Sequence, residues 1–172
     1  MIYIMVGDGK KYKFLRDTKP AVCSHLSIVI DTKEEYNKAV EELLTQQDIV
    51  SKVQRLDIFS PFIGTKMIDI FTSLERLVIH GCVTAYIPKM EYLRFLSVEH
   101  VLRKIHIDTQ YSLEYVSLWQ RVVRPRRFIC LPQCKVSKVL CKCDESRQKK
   151  TNDSIQRELF PVFPNSIIEF VE

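Results

Sequence analysis

A chain of 172 residues with 46% hydrophobic and 27% charged residues is long enough to bury a core and reads as one globular domain over 1–172. No apolar run nears the ~20 residues that cross a bilayer, and the charges of "MIYIMVGDGKKYK" follow its apolar part, the reverse of a signal peptide. The expectation is an intracellular protein, cytoplasmic or nuclear, with no membrane association, its six cysteines reduced; four glycines argue against a glycine-rich phosphate loop, and no cofactor is expected.

From the N-terminus, "IYIMV" and "KYKFL" flank the turn pair Asp8-Gly9 and predict a hairpin. "CSHLSIVID" reads as a first strand of a larger stack. The segment 31–47 predicts the one clear helix: Thr32 and Glu35 make a capping-box pattern, and Tyr36, Ala39, Val40, Leu43 and Leu44 fall on one apolar face. Residues 1–52 are therefore read as an N-terminal cap plus first strand.

From Val53 a pattern recurs. "VQRLDI" at Val53, "LERLVI" at Leu74, "LRFLSV" at Leu93, "LEYVSL" at Leu113 and "VSKVLC" at Val136 all carry apolar residues at positions 1 and 4. Position 6 is Ile58, Ile79, Val98, Leu118 and Cys141, and the starts are 21, 19, 20 and 23 residues apart. A period near twenty marks a stacked-repeat solenoid, in which each unit buries its apolar face only against its neighbours. Between these strands, "KMIDIF", "AYIPKM", "RKIHID" and "RRFICL" read as returns in extended or 3₁₀ form, being too short for full helices. Residues 53–143 are thus the repeats. Within 144–172, "DESRQKKTNDSIQRE" reads as a polar insertion before a last strand, "NSIIEFVE".

The best-formed copy, "SLERLVIHGC", sets Leu74, Leu77, Ile79 and Cys82 at the L-x-x-L-x-L-x-x-N/C spacing. In this it resembles the leucine-rich repeat family, with irregular, divergent repeats. The usual asparagine at position 9 is missing throughout, and only Cys82 fits there. The fold expected is α/β, a short leucine-rich-repeat-like solenoid with a parallel sheet and an N-terminal cap containing one helix. The family implies non-enzymatic recognition of a protein partner through a concave sheet face, of the adaptor or inhibitor type.

Period-two alternation buries positions 4 and 6 and exposes 3, 5 and 7. The exposed columns contain Arg55, Phe59, Arg76, His80, Phe95, Glu99, Tyr115 and Trp119. Aromatic and arginine side chains dominate binding hot spots, which makes these the candidate partner-binding residues.

The competing readings rest on other residues. Residues 121–150 hold ten Lys/Arg against Asp144 and Glu145, a local charge of +8 that leaves the rest of the chain at −3 against a total of +5. Arg121, Arg124, Arg126, Arg127, Lys138 and Lys142 could contact phosphates, which makes nucleic acid the alternative partner. Cys130, Cys134, Cys141 and Cys143 are close enough in sequence to be weak zinc candidates or the centre of a small enzyme, but their spacing is not that of paired zinc knuckles. None of His25, His80, His100 and His106 stands in a nucleophile motif, so no catalytic residue is assigned. A stack of this kind with one poorly covered end could dimerise through it.

Overall fold

The computed structural model describes residues 3–6, 11–12, 24–61, 63–82, 84–100, 103–108, 113–120, 128–130, 134–143 and 151–171. Seven parallel strands make one face: β3 (His25–Val29), β4 (Arg55–Phe59), β5 (Arg76–His80), β7 (Phe95–Glu99), β9 (Leu113–Gln120), β11 (Val136–Cys143) and β12 (Ile167–Phe170). A hairpin, β1 (Tyr3–Val6) and β2 (Lys11–Tyr12), extends this sheet antiparallel beyond β3. The expected hairpin is there; its Asp8-Gly9 turn lies outside the described residues. A second parallel sheet, in the order β10 (Phe128–Cys130), β8 (Lys104–Ile107), β6 (Thr84–Ile87), forms the other side. The chain passes between the sheets in three successive coils, β5-β6-β7, β7-β8-β9 and β9-β10-β11, an α/β solenoid.

The register follows the template. Leu56, Leu77, Leu96, Val116 and Val139 pair strand to strand, as do Ile58, Ile79, Val98, Leu118 and Cys141. All ten are buried, together with Val53, Leu74, Leu93, Leu113 and Val136 at position 1. Ala85, Ile87, Ile105 and Ile107 close the core from the second sheet. Backbone groups also pair from one strand to the next at both ends of the strands. At each strand's start one carbonyl accepts two amides of the next strand: Ser24 from Gln54 and Arg55, Gln54 from Glu75 and Arg76, Glu75 from Arg94 and Phe95. At each strand's end the position-8 amide donates to the next strand's position-7 carbonyl, Ser60 to His80, Gly81 to Glu99 and His100 to Trp119. Buried backbone groups are thereby paired without a side-chain ladder. Gly81 and His100 take the same left-handed turn, φ 68° and 54°.

Three expectations change. The cap has two helices, α1 (Lys33–Thr45) and the single turn α2 (Gln47–Val50). The Thr32–Glu35 capping box is present, but Leu44 is 52% exposed, turned away from the face that buries Ala39, Val40 and Leu43. The first return is a helical turn, α3 (Thr65–Ile68), whereas the next three are the strands β6, β8 and β10. Most of all, the polar insertion contains a helix, α4 (Asn152–Leu159), capped by the Thr151 side chain accepting from the Ser154 amide. Ile155 and Leu159, one turn apart, bury its inner face, so it serves as the return before β12. No helix among the described residues is long and apolar enough to cross a membrane.

Candidate functional site

In-register parallel pairing turns the outward positions into three rows across the large sheet. Position 3 runs His25, Arg55, Arg76, Phe95, Tyr115, Lys138, Ile167. Position 5 runs Ser27, Asp57, Val78, Ser97, Ser117, Leu140, Glu169, and position 7 runs Val29, Phe59, His80, Glu99, Trp119, Lys142. All eight candidate partner-binding residues lie in the two outer rows. Position 5 does not stay exposed as alternation predicts. Ser27, Asp57 and Val78 are buried, because the tall side chains on either side shade this row of mostly small ones. The face is therefore a floor between two ridges. At ~3.3 Å per residue the ridges stand about 13 Å apart, room for one extended segment.

The position-7 ridge is a contact chain. The Phe59 and His80 rings stack with centroids 3.9 Å apart and planes 3° from parallel. His80 Nδ1 lies 2.8 Å from Glu99 Oε2. Beyond Glu99, Trp119 is 45% exposed, with Lys142 Nζ 5.3 Å from its ring centroid and His100 tilted beside it at 6.4 Å. An edge-bonded imidazole stacked on Phe59 holds that ring in place at 37% exposure. Exposed rings whose rotamers are already fixed lose little entropy on binding a partner.

The position-3 ridge divides in two. Phe95 and Tyr115 pair at 4.8 Å. At the N-terminal side Asp57 lies buried under two side chains: Arg55 Nε and Nη2 each donate to it at 3.0 Å, and His25 Nε2 is 3.0 Å from Oδ2. That contact raises the Arg55 pKa, chiefly through the hydrogen bonds from its guanidinium. Ser27 Oγ also approaches His25 Nε2, at 3.5 Å. Serine and aspartate thus meet the same imidazole nitrogen. A nucleophilic relay needs them on opposite nitrogens, so the geometry here is that of a hydrogen-bonded network around Asp57 rather than of such a relay. Arg76, one strand over, is half-buried and pairs with no carboxylate among the described residues. His25 and Ser27 were missed as site residues, although laying the repeat template over "CSHLSIVID" puts them at positions 3 and 5.

The other candidates are described only in part. Arg121, Arg124, Arg126 and Arg127 lie outside the described residues. Lys138 is paired with Glu169 at 2.7 Å, and Lys142 sits over Trp119, so both stand on the sheet face. Cys141 is buried in the core, Cys130 and Cys134 are half-buried elsewhere, and the side chain of Cys143 lies outside the described residues. No group of three or more metal-ligating side chains occurs among the described residues. Cys82 is fully buried, and burial pushes its thiol up to about 12. No protein-family model matches the chain, and neither a curated protein nor a solved structure matches it.

Proposed function

We propose that this chain is a divergent leucine-rich-repeat protein that binds a protein partner, without catalysis, along the outer face of the seven parallel strands of its large sheet. The observation that carries this is the two-ridge face itself: exposed Phe59, stacked on His80, and exposed Trp119 on one ridge, and on the other, beside the Phe95–Tyr115 pair, Arg76 with no counter-ion among the described residues. The occupant that fits is an extended segment with a carboxylate over Arg76 and apolar side chains over the rings of the C-terminal half. Arginine and aromatic side chains in such a setting are those whose truncation costs most in binding.

The test is affinity purification from the native cell, followed by titration of the recovered partner. Arg76→Ala and Trp119→Ala should each weaken binding about tenfold or more, while Tyr86→Ala on the opposite sheet leaves it unchanged. Equal losses for all three, or none for the first two, would place the partner elsewhere. Recovery of nucleic acid instead, bound with steep salt dependence, would favour a phosphate-binding role for the basic segment.

A further inference from the structure

The fold explains Cys82 and Cys141, which fill core positions. Cys130 and Cys134 only pack against the edge of that core. Cys130 ends β10 in the small sheet, and Cys134 stands just before β11 in the large one. Cys130 Sγ lies 4.0 Å from the Cys134 carbonyl oxygen, and the two thiols hydrogen-bond to each other. Both are half-buried and line a cavity of about 230 Å³, bounded on its other side by Val136, Pro161, Phe163 and Ser166.

We propose that Cys130 and Cys134 are a reversible dithiol–disulfide site, oxidised by small disulfides of the glutathione type, that ties the end of the small sheet to the start of β11. The two thiols divide the work. Its hydrogen bond with Cys134 holds the Cys130 thiol below the usual cysteine range. That same bond, then burial and the charge of a neighbouring thiolate, push Cys134 up. That hydrogen bond favours Cys130 as the attacking thiolate, with Cys134 as the resolving thiol. Cys130 gives its proton to solvent, and its sulfur attacks one sulfur of the small disulfide. A mixed disulfide forms as the small S–S bond breaks, and one small thiolate leaves and takes up a proton. Cys134 then loses its proton, attacks the Cys130 sulfur and expels the second small thiolate. Two protein thiols become one disulfide, and the small disulfide is reduced to two thiols. The cavity gives the incoming sulfur its approach. The site also adjoins the seat of the last strand, where the Ser166 hydroxyl donates to the Val136 carbonyl.

The sequence makes the test direct. Cys130 and Cys134 share one tryptic peptide, 128–135, which contains no other cysteine. The full chain is equilibrated with glutathione buffers of increasing oxidation, alkylated and digested. The expected result is a peptide that passes from doubly alkylated to unalkylated and lighter by two hydrogens, and that returns with dithiothreitol. The folded chain should reach its midpoint in a buffer about tenfold or more less oxidising than the urea-unfolded chain. Cys134→Ser should stop at one glutathione on Cys130. Should that variant not fold, limiting iodoacetamide on the folded wild type reads the same order, with Cys130 alkylated first. A doubly alkylated peptide in fully oxidised buffer overturns the proposal, as do two glutathione adducts with no bridge, or equal midpoints for folded and unfolded chains.

Discussion

The two ends of the stack are finished differently. At the N-terminal end, β3 is paired on its outer side by β1 over four residues, and α1 lays Ala39, Val40 and Leu43 against the core. Leu26 and Ile28 are in consequence as fully buried as Leu77 and Ile79 in mid-stack. At the C-terminal end, β12 pairs only with β11 among the described residues, and its side chains alternate between exposed and half-buried. Ile167 is 65% exposed, Phe160 58% and Val171 45%. The same kind of sequence is therefore core at one end and surface at the other. Burial in a stack is conferred by the next unit, and where none of the described residues supplies one, the apolar pattern stays on view.

Truncations at the two ends break or sharpen this contrast most strongly. Leu43→Ala should cost about 2–5 kcal/mol, the usual range for a fully buried leucine, whereas Ile168→Ala, half-buried on β12, should cost about 1 kcal/mol. Urea unfolding followed by circular dichroism measures both. Comparable losses would mean that the C-terminal end is covered in solution, and sedimentation velocity would then show whether a second copy of the chain covers it.

The pH dependence separates mid-stack from the N-terminal end. Cys82 has its thiol pushed up by burial from 9.0 to about 12, and Tyr36, which donates to the Gly64 carbonyl under α1, is raised mainly by burial as well. In both the folded state disfavours the ionised form. Their contributions are complete below the unfolded values and are lost as pH rises toward the folded ones, because the unfolded chain releases protons first. Stability should fall above about pH 9, by at most about 1.4 kcal/mol per pH unit for Cys82. Cys82→Ala should flatten the decline in the urea midpoint between pH 9 and 10. A decline that Cys82→Ala leaves unchanged but Tyr36→Phe reduces would assign it to the N-terminal end.

What the sequence discloses of this molecule is what burial selects. Positions 1, 4 and 6 must be apolar wherever the strand lies, so Leu74, Leu77 and Ile79 announce both the strand and its inward face, and the eight partner candidates follow by alternation. The remainder depends on neighbours. Whether Asp57 and Val78 are shaded depends on the height of Arg55, Phe59, Arg76 and His80 once the register is known. The His25–Asp57 contact spans 32 residues and has no local signature. The backbone bonds at the strand ends leave no trace in side chains. In α4, two buried residues in an otherwise polar stretch make too thin a stripe to read, although Thr151 marks its start. The cysteine pair was legible only as density, because the pairing of Cys130 with Cys134, and the separation of both from Cys141, follows from which sheet each strand joins.

The smallest effect belongs to the ion pair between β11 and β12. Lys138 Nζ and Glu169 Oε2 lie 2.7 Å apart, with about half of each side chain in solvent. A pair so exposed is worth no more than ~1 kcal/mol, and a double-mutant cycle of Lys138→Ala with Glu169→Ala should return a coupling in that range that salt diminishes. On the proposed reading the pair also bears on recognition. It neutralises the C-terminal cation of the ridge whose N-terminal cation, Arg55, is neutralised by Asp57, so among the described residues the charge left on this ridge for a partner is concentrated on Arg76 between them. Lys138→Ala should therefore leave partner affinity nearly unchanged where Arg76→Ala does not. Glu169→Ala, which frees a second cation, should tighten the grip on an acidic segment. A partner that responds to Lys138→Ala as strongly as to Arg76→Ala would be reading the whole ridge as a basic surface, as a phosphate backbone would, rather than one unmatched guanidinium.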